Sequence, residues 1–130
     1  MKRLLSAGLI VVFASAALGG FALASEKAAA KPQTISGEIV DLGCYLGHAA
    51  KGASHKECGL KCIANGMPMG ILTEKGVLYL LTMNHDNADP FNNTKGWASE
   101  QVKVTGVVSV RQGMKALQVD AAELVVASAK

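Results

Sequence analysis

The chain has 130 residues, half of them hydrophobic, and a formal charge of +3, which suits one small domain with a modest core. Without residues 1–24 it keeps 11 basic against 10 acidic residues, a balance that leaves no electrostatic footprint for nucleic acid. Six aromatic residues, two of them before residue 25, are too few for a platform on which bases stack.

Lys2 and Arg3 precede an uncharged apolar run from Leu4 to Phe21, and Ala22-Leu23-Ala24 follows as a small-residue cleavage signal. This order predicts a signal peptide over 1–24, cut after Ala24. The run is Ala/Gly-rich and has no stop-transfer charges behind it, which argues against a membrane anchor. No cysteine stands in lipobox position. The expectation is a periplasmic or secreted protein with no stable membrane anchor after cleavage. Residues 25–33, "SEKAAAKPQ", read as a flexible leader, and 34–130 as the folded domain.

"TISGEIVDLGCYL" sets Ile35, Gly37, Ile39 and Asp41 on one face and predicts a strand over about 34–43, with Cys44 at its end. The glycine-dotted segment 47–54 reads as a loop. "SHKECGLKCIANG" predicts a short helix, with Ser54 as N-cap, Glu57 completing a capping box, and Gly66 as the stop. "GILTEKGVLYLLTM" predicts a hairpin turning at Glu74-Lys75-Gly76. Residues 84–100 are polar, and Asp89-Pro90 can open a short helix with Asp89 as N-cap and Pro90 at the first position. "QVKVTGVVSV" alternates cleanly, "RQGMK" turns the chain, and "ALQVDAAELVV" gives a last strand with Leu117 and Val119 on one face. Five strands, one cysteine-bearing helix and a mid-strand Gly106 predict a mainly β fold: a small OB-like five-stranded barrel with that helix inserted after the first strand.

Residues 36–126 resemble a family of small exported bacterial proteins of largely unassigned function. The likeness rests on "GEIVDLGCYL", "HKECGLKCIANGMPMGIL" and "VKVTGVV" followed by "ALQV", the Cys/His spacing being the most specific. It implies export and the barrel, and it brings no substrate or reaction.

Chemistry concentrates between residues 44 and 70, which hold all three cysteines. An odd cysteine count in an exported chain leaves at least one thiol outside any internal disulfide. His55, Cys58 and Cys62 fall on one helical stripe, and Cys44 can meet it from the strand end. Thiolates with an imidazole suit a copper or zinc ion, and the thioethers of Met67 and Met69 favour copper. The candidate metal ligands are therefore Cys44, His55, Cys58, Cys62, Met67 and Met69. The Cys-x3-Cys unit is similar to the core of exported copper-delivery and dinuclear-copper domains. Met69 takes the methionine-like place, but Gly66 stands where their histidine would be, which argues against a dinuclear electron-transfer centre.

Helical i, i+4 neighbours have Cβ atoms about 5–6 Å apart, wider than the roughly 3.5–4.5 Å of a disulfide, so Cys58 and Cys62 are better placed to grip an ion than to bond. Cys44 could instead bond to one of them, stabilising by about 2–4 kcal/mol. Three readings therefore stand open: a soft-metal-binding protein, an OB-type ligand-binding module with a structural disulfide, and a thiol redox protein. The partners expected are a metal ion or another exported protein. His48 reads as a solvated loop histidine, and His85, which follows a strand two residues after Met83, is a lesser candidate for a place near the cluster. No nucleophile elbow, C-x-x-C redox motif, haem motif or phosphate loop is present, so no catalytic set emerges.

Overall fold

The computed structural model describes residues 30–126. The expected signal peptide and residues 25–29 of the leader lie outside the described residues. Strand β1 (Gln33–Asp41) is followed by helix α1 (Leu42–His48), a single 3₁₀ turn (Ala53–His55) and helix α2 (Lys56–Ala64). Strands β2 (Met69–Leu72) and β3 (Leu78–Met83) form the first hairpin. Helix α3 (Asp89–Thr94) leads to the long hairpin of β4 (Gln101–Arg111) and β5 (Met114–Leu124). The strands close in the order β1-β2-β3-β5-β4 and back to β1. Every pairing is antiparallel except β3 with β5. This is the OB-like five-stranded barrel that the alternation predicts.

The core is the set of inward positions. Ile39, Ile71, Val102, Val104, Leu117 and Val119 are fully buried, and Ile63 from α2 and Ala98 from the segment before β4 close one end. The hairpin register explains the predicted glycine in β4. A bulge falls at Thr105/Gly106, and a Cβ on Gly106 would overlap the Gln118 carbonyl oxygen. Only glycine lets the two strands approach there.

Several local readings shift. The first strand stops at Asp41, not at 43, and the loop after it begins with a helix that the glycines in "LGCYLGH" disguise. Helix α2 is capped by His55 without a side-chain capping bond, so Ser54 is not its N-cap and the Ser54/Glu57 capping box does not form. The reason is local: Ala53–His55 make a 3₁₀ turn that aims His55 back toward β1. Helix α3 begins one residue early, with Ala88 as N-cap, Asp89 inside the first turn and Pro90 behind it. Gly66, in a left-handed conformation, follows α2 as expected, and Gly76 turns the first hairpin the same way.

Candidate metal centre

The site is built where β1 ends. The alternation that buries Ile39 also points Asp41 inward, and its side chain is fully buried. Its carboxylate becomes the N-cap of α1: Oδ1 accepts the Cys44 backbone N–H at 2.8 Å. Cys44 is thereby fixed at the third position of α1. The expectation that Cys44 ends a strand is corrected, because the cap turns the chain into a helix three residues earlier.

The second oxygen is also used. Asp41 Oδ2 lies 2.8 Å from His55 Nε2. His55 ends the 3₁₀ turn and caps α2, and the next two turns of helix present Cys58 and Cys62 at i+3 and i+7 from it. Helix α2 comes close because Gly59 carries no side chain. A Cβ there would sit 3.2 Å from Ala98 Cβ, 3.6 Å from Asp41 Oδ2 and 3.7 Å from His55 Cδ2. Two further tethers hold this segment: Glu38 accepts the Gly52 N–H, and Lys56 pairs with Glu100.

The result is a group positioned to hold a metal ion. The sulfurs of Cys44, Cys58 and Cys62 all lie within 4.8 Å of one another, and so do ligand atoms of Asp41, Cys44 and His55. The two sets share Cys44. His55 thus groups with the barrel side of the cluster, not with the helical cysteines. Cys58 is exposed, and Cys44 and Cys62 are half-buried. All three are free thiols. With metal–sulfur bonds of about 2.3 Å, a tetrahedral ion needs sulfurs about 3.8 Å apart and a trigonal one about 4.0 Å. The observed spread therefore fits an ion after adjustments of less than about 1 Å.

The electrostatics suit a cation. Burial pushes the Cys44 thiol up to about 12, helped by the Asp41 carboxylate and then by Cys62. Burial likewise raises Cys62, and neighbouring Cys58 adds to the rise. For Asp41, burial acts upward, but hydrogen bonds from the Cys44 amide, from His55 and from the Cys44 thiol outweigh it and hold the carboxyl below its ordinary value. A buried anion thus stands against thiols that stay protonated until something positive displaces the protons.

The two methionines part company. Met67 follows α2, its N–H donating to the Cys62 carbonyl at 2.9 Å. Its thioether covers Gly43, where a Cβ would meet Sδ at 2.7 Å, so Met67 flanks the residue next to Cys44. Met69 is drawn into the core at 3% exposure, its sulfur 3.6 Å from the Thr94 hydroxyl, which also reaches the Phe91 carbonyl at 2.7 Å. Its position in β2, opposite Asp41 in the register, accounts for this. His48, the last residue of α1, and His85, after β3, are exposed. The residue missed in the sequence is Asp41. Its signal was an aspartate on the inward face of a strand, three residues before a cysteine.

No protein-family model, curated protein or solved structure matches this chain.

Proposed function

We propose that this chain is an exported soft-metal-binding protein, a carrier or buffer for Cu(I) or Zn(II), with Cys44, Cys58 and Cys62 as thiolate ligands. The observation that carries the reading is the convergence of three free sulfurs within 4.8 Å of one another. Met67 beside Gly43 adds a thioether within the same surroundings and favours Cu(I). Coordination displaces the thiol protons, so the high thiol pKa values are overcome by the ion itself. The exposed Cys58 is the thiolate an incoming ion or a delivering exported protein meets first.

The same proximity would serve thiol–disulfide exchange, with the third thiol attacking a disulfide formed by the other two. Burial raises the Cys44 and Cys62 thiols, which disfavours these two as the attacking thiolate. A structural disulfide within an OB-type ligand module would need one sulfur pair to close to about 2.05 Å.

Thiol counting and metal analysis on anaerobically purified protein separate the three. Three thiols and one Cu(I) or Zn(II) per chain are expected. One thiol and no metal would support the structural disulfide, and readily exchanging pairs the redox protein. Cys58→Ser should abolish tight Cu(I) binding, whereas His48→Ala should leave it nearly unchanged. Equal losses from both would show that the ligands lie elsewhere.

A further inference from the structure

The three sulfurs come from two separate helices, and the packing alone does not explain how those helices hold their distance. Helix α1 is seven residues long and buries none of them, and the 3₁₀ turn that starts the second arm buries none either. A helix of that length has no stability of its own, and its cap and its contacts must hold it. Helix α2 buries only Gly59 and Ile63. Cys44 on the first arm and Cys58 and Cys62 on the second therefore need a connection other than apolar burial.

Asp41 is the buried polar side chain that touches both arms. One oxygen takes the Cys44 N–H, the other takes His55, each at 2.8 Å, and its side chain has no exposed surface. Burying a carboxylate is costly unless its oxygens are bonded, and among the described residues no buried side-chain oxygen or nitrogen lacks a partner. A strand end that only filled the barrel would hold an apolar side chain, as Ile39 does two residues earlier. Gly59 completes the arrangement by letting α2 lie directly over the pair.

We infer that Asp41 is the positioning residue of the three-sulfur site, a brace whose far anchor is His55, and that His55, grouped with Asp41 and Cys44 and not with the three sulfurs, acts through this hydrogen bond and does not bind the ion through its other ring nitrogen. This inference rests on the three-sulfur reading, deepening it to say what holds the sulfurs in place. The brace works by geometry. An amide can span the same two partners, since its oxygen can accept the Cys44 N–H and its NH₂ can donate to His55 Nε2. Serine can cap α1 but is too short to reach His55, and alanine does neither.

The test uses the reduced full chain under anaerobic conditions, titrated with Co(II), whose charge-transfer bands report the number of bound thiolates, and with Cu(I) in competition. In parallel, trivalent arsenic, which takes three thiolates, probes the sulfur cluster whether or not a biological metal binds. Wild type and Asp41→Asn should both show three thiolates, with affinities within about threefold of each other. Asp41→Ala should fall to two thiolates with about a 10–100-fold loss, the range seen when groups that orient ligands are removed. Asp41→Ser should keep three thiolates and lose less than Asp41→Ala. His55→Ala, which removes the far anchor, should also keep three but lose affinity as Asp41→Ser does, with Co(II) d–d bands unmoved, because no nitrogen leaves the ion.

The inference is overturned if Asp41→Ala keeps three thiolates at wild-type affinity, or if His55→Ala shifts the d–d bands as loss of a nitrogen ligand would. Should Asp41→Ala not fold, Asp41→Ser and His55→Ala decide: wild-type affinity in both, with the Asp41–His55 bond gone, refutes the inference. Wild type that captures arsenic but neither Cu(I) nor Co(II) would sink the metal-binding reading alone, and the arsenic series across the Asp41 variants would still test the brace.

Discussion

Replacing Gly59 by valine should drive apart the two helices that carry the sulfurs. A Cβ at this position meets Ala98 Cβ at 3.2 Å, tight by a few tenths of an ångström, and meets Asp41 Oδ2 and His55 Cδ2 at ordinary contact distances. Alanine therefore asks for a small shift, at the low end of the roughly 1–3 kcal/mol that overpacking costs. Removing a helix-interior glycine returns about 0.5–1 kcal/mol, so Gly59→Ala should stay within about 1 kcal/mol of wild type. Valine differs because its γ carbons reach about 1.5 Å further and β-branching leaves it essentially one helical rotamer in which to avoid a clash. Helix α2 must ride outward, and the net loss should be about 1–3 kcal/mol, or about 4–8 °C in Tm per kcal/mol for a domain of this size. Cys58 and Cys62 move with α2 while Cys44 stays on α1. The sulfur separations then grow away from the roughly 3.8 Å that an ion requires. Urea unfolding of the reduced, metal-free protein and Co(II) charge-transfer spectra measure the two effects. Gly59→Val with wild-type midpoint and a full three-thiolate spectrum would refute the reasoning.

Gly106→Ala should destabilise the barrel by about 2–3 kcal/mol, since a Cβ would overlap the Gln118 carbonyl oxygen and a closed sheet has little room to yield; a urea midpoint unchanged by the substitution would contradict the register. The metal-free protein should lose stability at both ends of the pH scale. Cys44 is raised when folded, so its contribution is complete below the ordinary thiol value, about 8.5, and is lost as pH climbs toward about 12. Asp41 is depressed when folded, so its contribution is complete above about 3.9 and is lost as pH falls below that value. Urea midpoints across pH should show that Cys44→Ser flattens the alkaline limb and Asp41→Asn the acid limb; unchanged limbs would show that these groups do not carry the dependence.

The barrel was legible because its signals are local and repeat. Val102, Val104 and Gly106 alternate inward along one strand, Leu117 and Val119 along the next, and the observed burial follows that period. Gly76 marks a turn by a left-handed conformation that few other residues adopt. The helices were less legible. In "LGCYLGH" two glycines depress the helical propensity, and what starts α1 is a side-chain cap, Asp41, which the strand pattern had already claimed. Ser54 and Glu57 have the spacing of a capping box, but the cap of α2 is His55, held by an oxygen fourteen residues upstream.

The site shows the same division between local and distant causes. Cys58 and Cys62 share a stripe because a helix repeats every 3.6 residues, and any reader of the sequence can place them together. Cys44 joins them because the chain turns into a helix at Asp41, and Met69, paired with Asp41 in the register, is buried in the core. The inward period of β1 nevertheless contained a contradiction: Ile35, Gly37, Ile39 and Asp41 share a face, and the last of them is an anion. Burying a carboxylate in a small core is unfavourable by more than any single apolar contact returns. An aspartate at such a position therefore has to spend both oxygens on partners of its own. Those partners, the Cys44 amide on one side and His55 on the other, tie it to the two arms that carry the three sulfurs.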